Sequence, residues 1–188
     1  YIYMSYTKYI EFMRNCNYID PERQNANVML NGCINETTKD IKYVEVISSI
    51  ASQSAGKATR ENINEYIINT QRAIGQLSGL KNNKVIINLN PSKPPVNMMN
   101  SIFFECKNVN GKKIKEANVV LKNINKTIKK YIPGYNAKLF YKKSEKFFRV
   151  TIRVVGSGDY LSTFAGNLDI ITSSSAYIGH LLNEKNNY

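Results

Sequence analysis

The stretch Ile114–Val155, IKEANVVLKNINKTIKKYIPGYNAKLFYKKSEKFFRVTIRVV, decides the fold class of this chain. Its first half predicts one amphipathic helix over Ile114–Tyr131, because apolar residues recur there at helical spacing: Ala117, Val120, Leu121, Ile124 and Ile128. Pro133 and the glycine after it end that helix. Two β-rich segments follow, Ala137–Lys142 and Phe147–Val155, and the Lys-Ser-Glu turn between them predicts a hairpin. A helix beside a hairpin is typical of an α+β domain.

Similar patterns continue on both sides of this stretch. Further strands are predicted at Tyr43–Ile50, Lys84–Leu89 and Ser101–Cys106, and a short apolar run at Asn27–Leu30 resembles a strand that ends in a loop. Helices are predicted over 61–78, with Thr59 as a candidate cap, and over Leu168–Leu182. The element order is roughly βαββαββα. Because strands come in adjacent pairs, we expect an α+β fold with a mixed, largely antiparallel sheet and helices packed on one face.

The composition indicates a globular chain of one domain, with or without an extension. Of its 188 residues, 43% are hydrophobic and 21% are charged. No apolar run approaches the ~18 residues that a membrane span needs. The formal net charge is +12, but the basic residues are dispersed, so we interpret most of them as solvated surface. Anion or nucleic-acid binding stays open as an alternative, since residues 138–146 interleave lysines with aromatics.

Cysteine and histidine usage excludes several kinds of site. Three cysteines, Cys16, Cys33 and Cys106, make no disulfide framework, and with a single histidine, His180, a structural zinc site is not expected. A Ser-His-Asp triad would have to use His180, which lies in an apolar segment and is interpreted as a helix-surface or capping residue. The odd number of thiols fits a reducing compartment, and we expect a cytoplasmic protein.

Three short motifs are candidates for ligand binding or catalysis. Gly156-Ser157-Gly158 begins like a dinucleotide fingerprint but lacks the third glycine and the βαβ unit. Ser54-Ala55-Gly56 precedes a predicted helix, where backbone N–H groups can cradle an anion. Cys33 follows Asn31-Gly32 at a strand-to-loop junction, where a thiolate can act as a nucleophile. An inert buried cysteine is the alternative interpretation.

Four blocks in order carry a resemblance to a known family: YVEVISSIASQSAGKATR (Tyr43–Arg60), NLNPSKPPVNMMN (Asn88–Asn100), YIPGY (Tyr131–Tyr135) and VGSGDYLSTFAGNLDIIT (Val155–Thr172). Together they resemble the C-terminal part of acylating acetaldehyde dehydrogenases, over about residues 27–184. The resemblance implies a domain like the C-terminal domain of glyceraldehyde-3-phosphate dehydrogenase, with a dimer interface. It also implies that NAD and CoA serve to convert acetaldehyde to acetyl-CoA, beside a 4-hydroxy-2-oxovalerate aldolase. We expect residues 1–26 to be an extension or remnant and 27–188 to be this domain.

The site residues implied by the resemblance are carried over one by one. Cys33 matches the family nucleophile, although Ile34 and Asn35 replace the two glycines that follow it in the family. Asn100 replaces the family aspartate thought to handle protons, and an amide cannot exchange a proton near neutral pH. The remaining matches are expected to contact the cofactor: Ser54, Ala55, Gly56, Thr59, Arg60, Asn62 and Asn167.

The family's nucleotide-binding Rossmann domain has no counterpart in these residues, so we expect it to have been lost, to lie on a separate NAD-binding subunit, or to belong to a longer protein. Two interpretations follow. In the first, the chain is the catalytic and dimerisation part of an acylating dehydrogenase that works through a Cys33 thioester. In the second, it is a degenerate homologue that acts as a dimerisation or partner-docking module. Basic anion or nucleic-acid binding is the third alternative.

Overall fold

A computed structural model describes residues 41–78, 80–107, 109–141 and 147–186. The elements in chain order are β1 (Ile41–Ala51), a 3-10 turn (Ser52–Ser54), α1 (Lys57–Glu61), α2 (Ile63–Ser78), β2 (Asn83–Asn90), β3 (Met98–Cys106), α3 (Gly111–Ile128), β4 (Tyr135–Tyr141), β5 (Phe147–Val154) and α4 (Gly166–Asn186). This order agrees with the predicted βαββαββα, except that the first helical stretch is divided into α1 and α2. The predicted strand at Asn27–Leu30 lies outside the described residues.

The strands of the described residues form one five-stranded sheet in the order β2-β1-β3-β5-β4. β1 and β2 run parallel, and the helical segment between them provides the crossover that a parallel pair requires. The other three neighbouring pairs are antiparallel. The predicted α+β class with a mixed, largely antiparallel sheet is therefore confirmed.

One face of the sheet, here called the covered face, carries the hydrophobic core. One cluster lies where α3 packs on β4 and β5: its buried residues are Ile132, Tyr135, Ala137 and Val154, with Leu121, Ile124 and Ile128 of the helix against them. A second cluster joins β1 and β3 through Ile41, Val44 and Cys106, with Phe104 and Phe148 stacked beside them. The apolar stripe predicted for α3 thus packs as expected.

Helix boundaries differ from the sequence predictions for local reasons. α3 begins at Gly111, because the Asn110 side chain accepts a hydrogen bond from the Lys113 N–H at 2.9 Å and caps the first turn. It ends at Ile128, and the N–H of Tyr131 then bonds back to the Ile128 carbonyl in a tighter turn. The prediction that Thr59 caps a helix is wrong. Gly56 is the N-cap of α1, and Thr59 lies inside that helix.

The other face of the sheet, here called the open face, carries no hydrophobic cluster of the described residues. Strand register places on it Tyr43, Glu45, Ile47, Ser49, Lys84, Ile86, Asn88, Met99, Ser101, Phe103, Glu105, Asn136, Lys138, Phe140, Phe147, Arg149, Thr151 and Arg153. Apolar and charged side chains are mixed on it. An antiparallel sheet with one wet face usually carries polar residues there, so the large apolar residues need an explanation.

Candidate functional site

Strand direction gathers the predicted site segments at one end of the sheet. β1 ends at Ala51, opposite Asn90 at the end of β2. β3 begins there at Met98, opposite Val154 at the end of β5. The turn after β1, the proline-rich loop between β2 and β3, and the loop that follows β5 therefore lie at the same end. This end is called the site end below.

The Ser54–Gly56 turn is held by contacts within its own segment. The Ser54 hydroxyl is buried and donates to the Ala51 carbonyl at 2.8 Å. The Arg60 guanidinium donates to the carbonyls of Ala55 (3.0 Å) and Ser52 (2.7 Å). It also donates to the Ser52 hydroxyl, so three hydrogen bonds fold the Arg60 side chain back onto the turn. In this structure Arg60 therefore stabilises the shape of the turn.

The other predicted residues of this segment are more exposed. Thr59 is half-buried, and the Asn62 amide donates to the Ala58 carbonyl at 2.8 Å, which closes the end of α1. A side chain at Gly56 would meet open space, with no heavy atom within 4 Å. The turn therefore presents the Gly56 backbone to its surroundings without obstruction, as a phosphate- or carboxamide-binding turn requires.

Asn100 lies on the covered face, two residues into β3. Its register partners are Ser48 on β1 and Ile152 on β5. Its side-chain oxygen is buried and has no hydrogen-bond partner. A buried amide oxygen without a donor loses the free energy of one hydrogen bond, about 1–3 kcal/mol, so this position favours a donor from a bound group.

Asn167 is the second residue of α4, and its side-chain oxygen is also buried without a partner. The preceding residue, Gly166, fixes its position, because a Cβ there would come within 2.7 Å of the Val154 carbonyl oxygen. Val154 ends β5 at the site end. Two of the predicted site residues, Asn100 and Asn167, therefore belong to the same end of the sheet and both offer an unused acceptor.

The loop between β5 and α4 is held in place by a carboxylate for which no role was predicted from the sequence. Asp169 Oδ2 accepts hydrogen bonds from the Ser157 N–H at 2.7 Å and from its hydroxyl at 3.3 Å. The Gly156 N–H donates to the Thr163 carbonyl at 2.7 Å, which closes the loop. A Cβ at Gly156 would lie 2.7 Å from Asp169 Oδ2, so the glycine permits this approach. The Ala-Gly-Asn-Leu-Asp block could have indicated this role for Asp169, since a carboxylate in the first helical turn favours nearby N–H donors.

A second set of hydrogen bonds joins the proline-rich loop to the same region. With its amide oriented so that both the nitrogen and the oxygen have hydrogen-bond partners, Asn97 donates to the Thr163 carbonyl at 3.2 Å and accepts from Arg153 at 3.1 Å. The sequence offered no signal for this contact, because Asn97 and Thr163 are brought together only by the antiparallel pairing of β3 with β5. The two loops at the site end are thus linked to each other.

The predicted nucleophile, Cys33, lies outside the described residues, and its role stays a prediction. Cys106 is the described cysteine, and burial followed by the nearby Glu105 charge raises the pKa of its thiol to about 11. A thiol with that pKa is protonated at neutral pH, so Cys106 is not a nucleophile there. Among the residues that the structure describes, no group of three histidine, cysteine or acidic side chains could hold a metal ion.

The described helices are too short or too polar to cross a membrane. What the geometry defines is an α+β domain whose loops form a candidate site at one end of a mixed sheet, and whose second sheet face is open. The family model described as "Prokaryotic acetaldehyde dehydrogenase, dimerisation" matches residues 24–162. The chain belongs to this acetaldehyde dehydrogenase family.

Relatives support the same family. Acetaldehyde dehydrogenase from Pectobacterium atrosepticum is 35% identical over 90% of this chain and 56% of its own length. The Spirochaeta aurantia enzyme of the same name is 39% identical over 80% of this chain and 50% of its own length. That of Bacillus cereus is 36% identical over 89% and 57%. The chain thus spans little more than half the length of these relatives.

One solved structure, aspartate semialdehyde dehydrogenase II complexed with ASA from Vibrio cholerae, aligns over 85% of this chain and 56% of its own chain. The TM-score is 0.42 and the sequence identity 6%, which is too distant to bear on the fold or the site.

Proposed function

We propose that this chain is the dimerisation part of an acetaldehyde dehydrogenase-type protein, and that two copies associate through their open faces. The exposure of apolar side chains on that face carries the proposal. Met99, Phe140 and Phe147 are 45%, 45% and 40% exposed, and all three stand on the open face. Exposed apolar residues that share a sheet face with polar ones are typical of an association surface.

The chemistry of the open face suits a self-complementary contact. Phe103 and Phe147 meet edge to face with ring centroids 6.1 Å apart, and the Arg149 guanidinium lies 4.8 Å from the Phe140 ring centroid. Aromatic residues and arginine are enriched in interface cores. A two-fold dimer brings the same patch of each copy together, so a mixed apolar and charged face can pair with itself.

Replacing Met99 by lysine tests the dimer. Met99 lies in the central strand of the sheet, and a lysine there stays solvated in the monomer but loses its water in the dimer. We expect Met99→Lys to weaken association at least about tenfold, measured by sedimentation velocity across a concentration series. Val119→Lys is the matched control, because Val119 is 60% exposed on α3 and adds the same charge away from the open face. Equal association by both variants would refute the open-face dimer.

A second proposed activity is acyl transfer at Cys33, and the unused acceptors of Asn100 and Asn167 favour a bound cofactor that carries N–H donors. Both oxygens are buried at the site end without a donor. Open space at Gly56 and the unpartnered Asn167 oxygen, both at the site end, would suit the carboxamide end of NAD. When bound, NAD would supply the hydride acceptor that oxidation of an aldehyde requires. Ser54, Ala55, Gly56, Thr59, Arg60, Asn62 and Asn167 remain the proposed cofactor-side residues.

The half-reaction with acetyl-CoA needs no NAD and isolates the cysteine. The Cys33 thiolate attacks the thioester carbonyl, the bond from that carbon to the CoA sulfur breaks, and CoA leaves as its thiolate. Asn100 has no proton to give near neutral pH, so it contributes only hydrogen bonding. An aldolase-like enzyme is the partner that the family resemblance implies.

Intact-mass measurement of the purified chain after incubation with acetyl-CoA tests this second activity. We expect a single acetyl adduct that maps to Cys33 and is absent in Cys33→Ala, while Cys106→Ala retains it. An unmodified, folded chain would exclude acyl transfer and leave dimerisation as the function of this chain.

A further inference from the structure

We propose that Asn125 closes the outer edge of β4, so that this edge cannot add a strand from a second copy of the chain. β4 is the last strand on its side of the described sheet. An exposed strand edge carries unpaired N–H and C=O groups that readily pair with another chain. Closure of the β4 edge does not depend on whether the open face forms the dimer.

The Asn125 side chain imitates a neighbouring strand. Its amide nitrogen donates to the Ala137 carbonyl at 2.8 Å, and its oxygen accepts from the Ala137 N–H at 2.8 Å. Ala137 lies opposite Ile152 of β5, and its backbone groups bond to Asn125, so they point away from β5 toward the outer edge. Both ends of one amide thus pair with both backbone groups of a single edge residue.

The N–H of the preceding outward position is paired as well. Outward positions recur every second residue, so Tyr135 and Leu139 flank Ala137 along the edge. The Tyr135 N–H donates to the Ile132 carbonyl at 3.0 Å in the turn that enters β4. The N–H groups of Tyr135 and Ala137 are thus both occupied, and N–H groups that could pair with another strand begin at Leu139.

The space beside this edge is open, which is why an edge closure matters. A groove of about 410 Å³ lies between α3 and β4, with Asn118, Leu121, Asn125, Ala137 and Leu139 among its lining residues. Lys122, Lys129 and Lys138 also line it. A second copy that approached this groove edge to edge would bring its own lysines against these three, which disfavours the contact further.

Site-resolved amide exchange by NMR tests the closure in the unaltered chain. Ala137 and Leu139 both point outward from the same strand, but only the Ala137 N–H bonds to a side chain in the described structure. After correction for intrinsic rates, we expect the Ala137 amide to exchange at least about tenfold more slowly than that of Leu139, as one net hydrogen bond implies. Equal exchange at the two positions would overturn the closure.

Asn125→Leu then tests the consequence for assembly. Leucine keeps the approximate size and favours helix, but offers no hydrogen bond. At low concentration we expect the Ala137 amide to lose about tenfold of its protection. At high concentration we expect species larger than those of the unaltered chain in sedimentation velocity. Asn118→Leu is the control, since Asn118 lies on the same helix and donates only to the Ile114 carbonyl.

The outcomes separate the two proposals about assembly. Larger species from Asn125→Leu but not from Asn118→Leu support edge closure. The same distribution in both variants, or unchanged Ala137 exchange, overturns it. A combined Met99→Lys and Asn125→Leu chain that still associates at high concentration would show that the edge contact is independent of the open face.

Discussion

Tyr135 shows how a single buried residue links the fold to pH. It is buried beneath α3 in the first cluster, and its hydroxyl sits near Tyr131. Burial, followed by the Tyr131 charge, raises the pKa of Tyr135 from its usual 10.0 to about 12. The unfolded chain therefore releases this proton at lower pH than the folded chain does.

This difference predicts an alkaline loss of stability. Between pH 10 and 12 the unfolded state binds fewer protons than the folded state, so the free energy of unfolding falls as the pH rises. We expect a fall of about 2 kcal/mol from this group, measured by urea unfolding over that range. Tyr135→Phe should remove that part of the fall, while Cys106 still contributes from pH 9 upward because its pKa is raised to about 11. An unchanged slope in Tyr135→Phe would contradict the assignment.

Gly134 is a second residue whose role comes from close approach. A Cβ at this position would overlap the Val155 carbonyl oxygen, and the Val155 N–H donates to the Gly134 carbonyl at 3.1 Å. We expect Gly134→Ala to lower the free energy of unfolding by about 2–4 kcal/mol, because the backbone at Val155, directly after β5, must move. Gly111→Ala is the control. It has open space around it and should be neutral or stabilising by up to about 1 kcal/mol in denaturant unfolding.

At the scale of elements, the loop between β5 and α4 depends on one carboxylate. Asp169 lies in the first turn of α4 and holds the Ser157 N–H at 2.7 Å. Gly158 in that loop has a φ of +84°, a conformation that glycine adopts without strain. The helix start and the loop therefore stabilise each other, and Asn167 lies in the same first turn as Asp169.

Removing that carboxylate should loosen the loop. We expect Asp169→Ala to destabilise the chain by about 1–3 kcal/mol, as the loss of a charged hydrogen bond implies, and to speed proteolysis in the 155–165 loop. Asp159→Ala removes the same charge from an exposed position of the same loop and is the control. Limited proteolysis read by mass spectrometry compares the two, and equal cleavage would show that Asp169 does not hold the loop.

At the scale of the whole molecule, net charge opposes association of two copies. The formal charge is +12 for each chain, so two chains repel at low ionic strength. Screening shortens the range of this repulsion from ~30 Å at 0.01 M to ~10 Å at 0.1 M salt. Association through a mixed apolar face should therefore tighten with added salt.

A salt titration measures this effect. We expect the dimer dissociation constant to fall roughly threefold or more between 0.01 and 0.1 M sodium chloride. A Lys122→Glu and Lys129→Glu double variant lowers the charge of the groove, away from the open face, and should tighten the dimer mainly at low salt. A dimer that weakens with salt would instead show that ion pairs across the interface dominate.

Much of the fold followed from local patterns in the sequence. Apolar residues at helical spacing in α3 and the β-rich runs of β4 and β5 predicted the element types, because a side chain's face depends on the backbone period alone. The family blocks identified acetaldehyde dehydrogenase relatives. The Ser54–Gly56 turn, Asn100 and Asn167 were chosen from the sequence, and the structure brings them to one end of the sheet.

Only the tertiary structure decided which strands are neighbours and which side chains meet. The parallel pairing of β1 with β2 and the two hydrogen bonds of Asn125 to Ala137 join groups whose contact no local period encodes. The physical reason is that periodicity fixes the face a residue occupies, whereas a hydrogen-bond partner depends on how distant segments pack. The open face is likewise visible only once the covered face has been assigned.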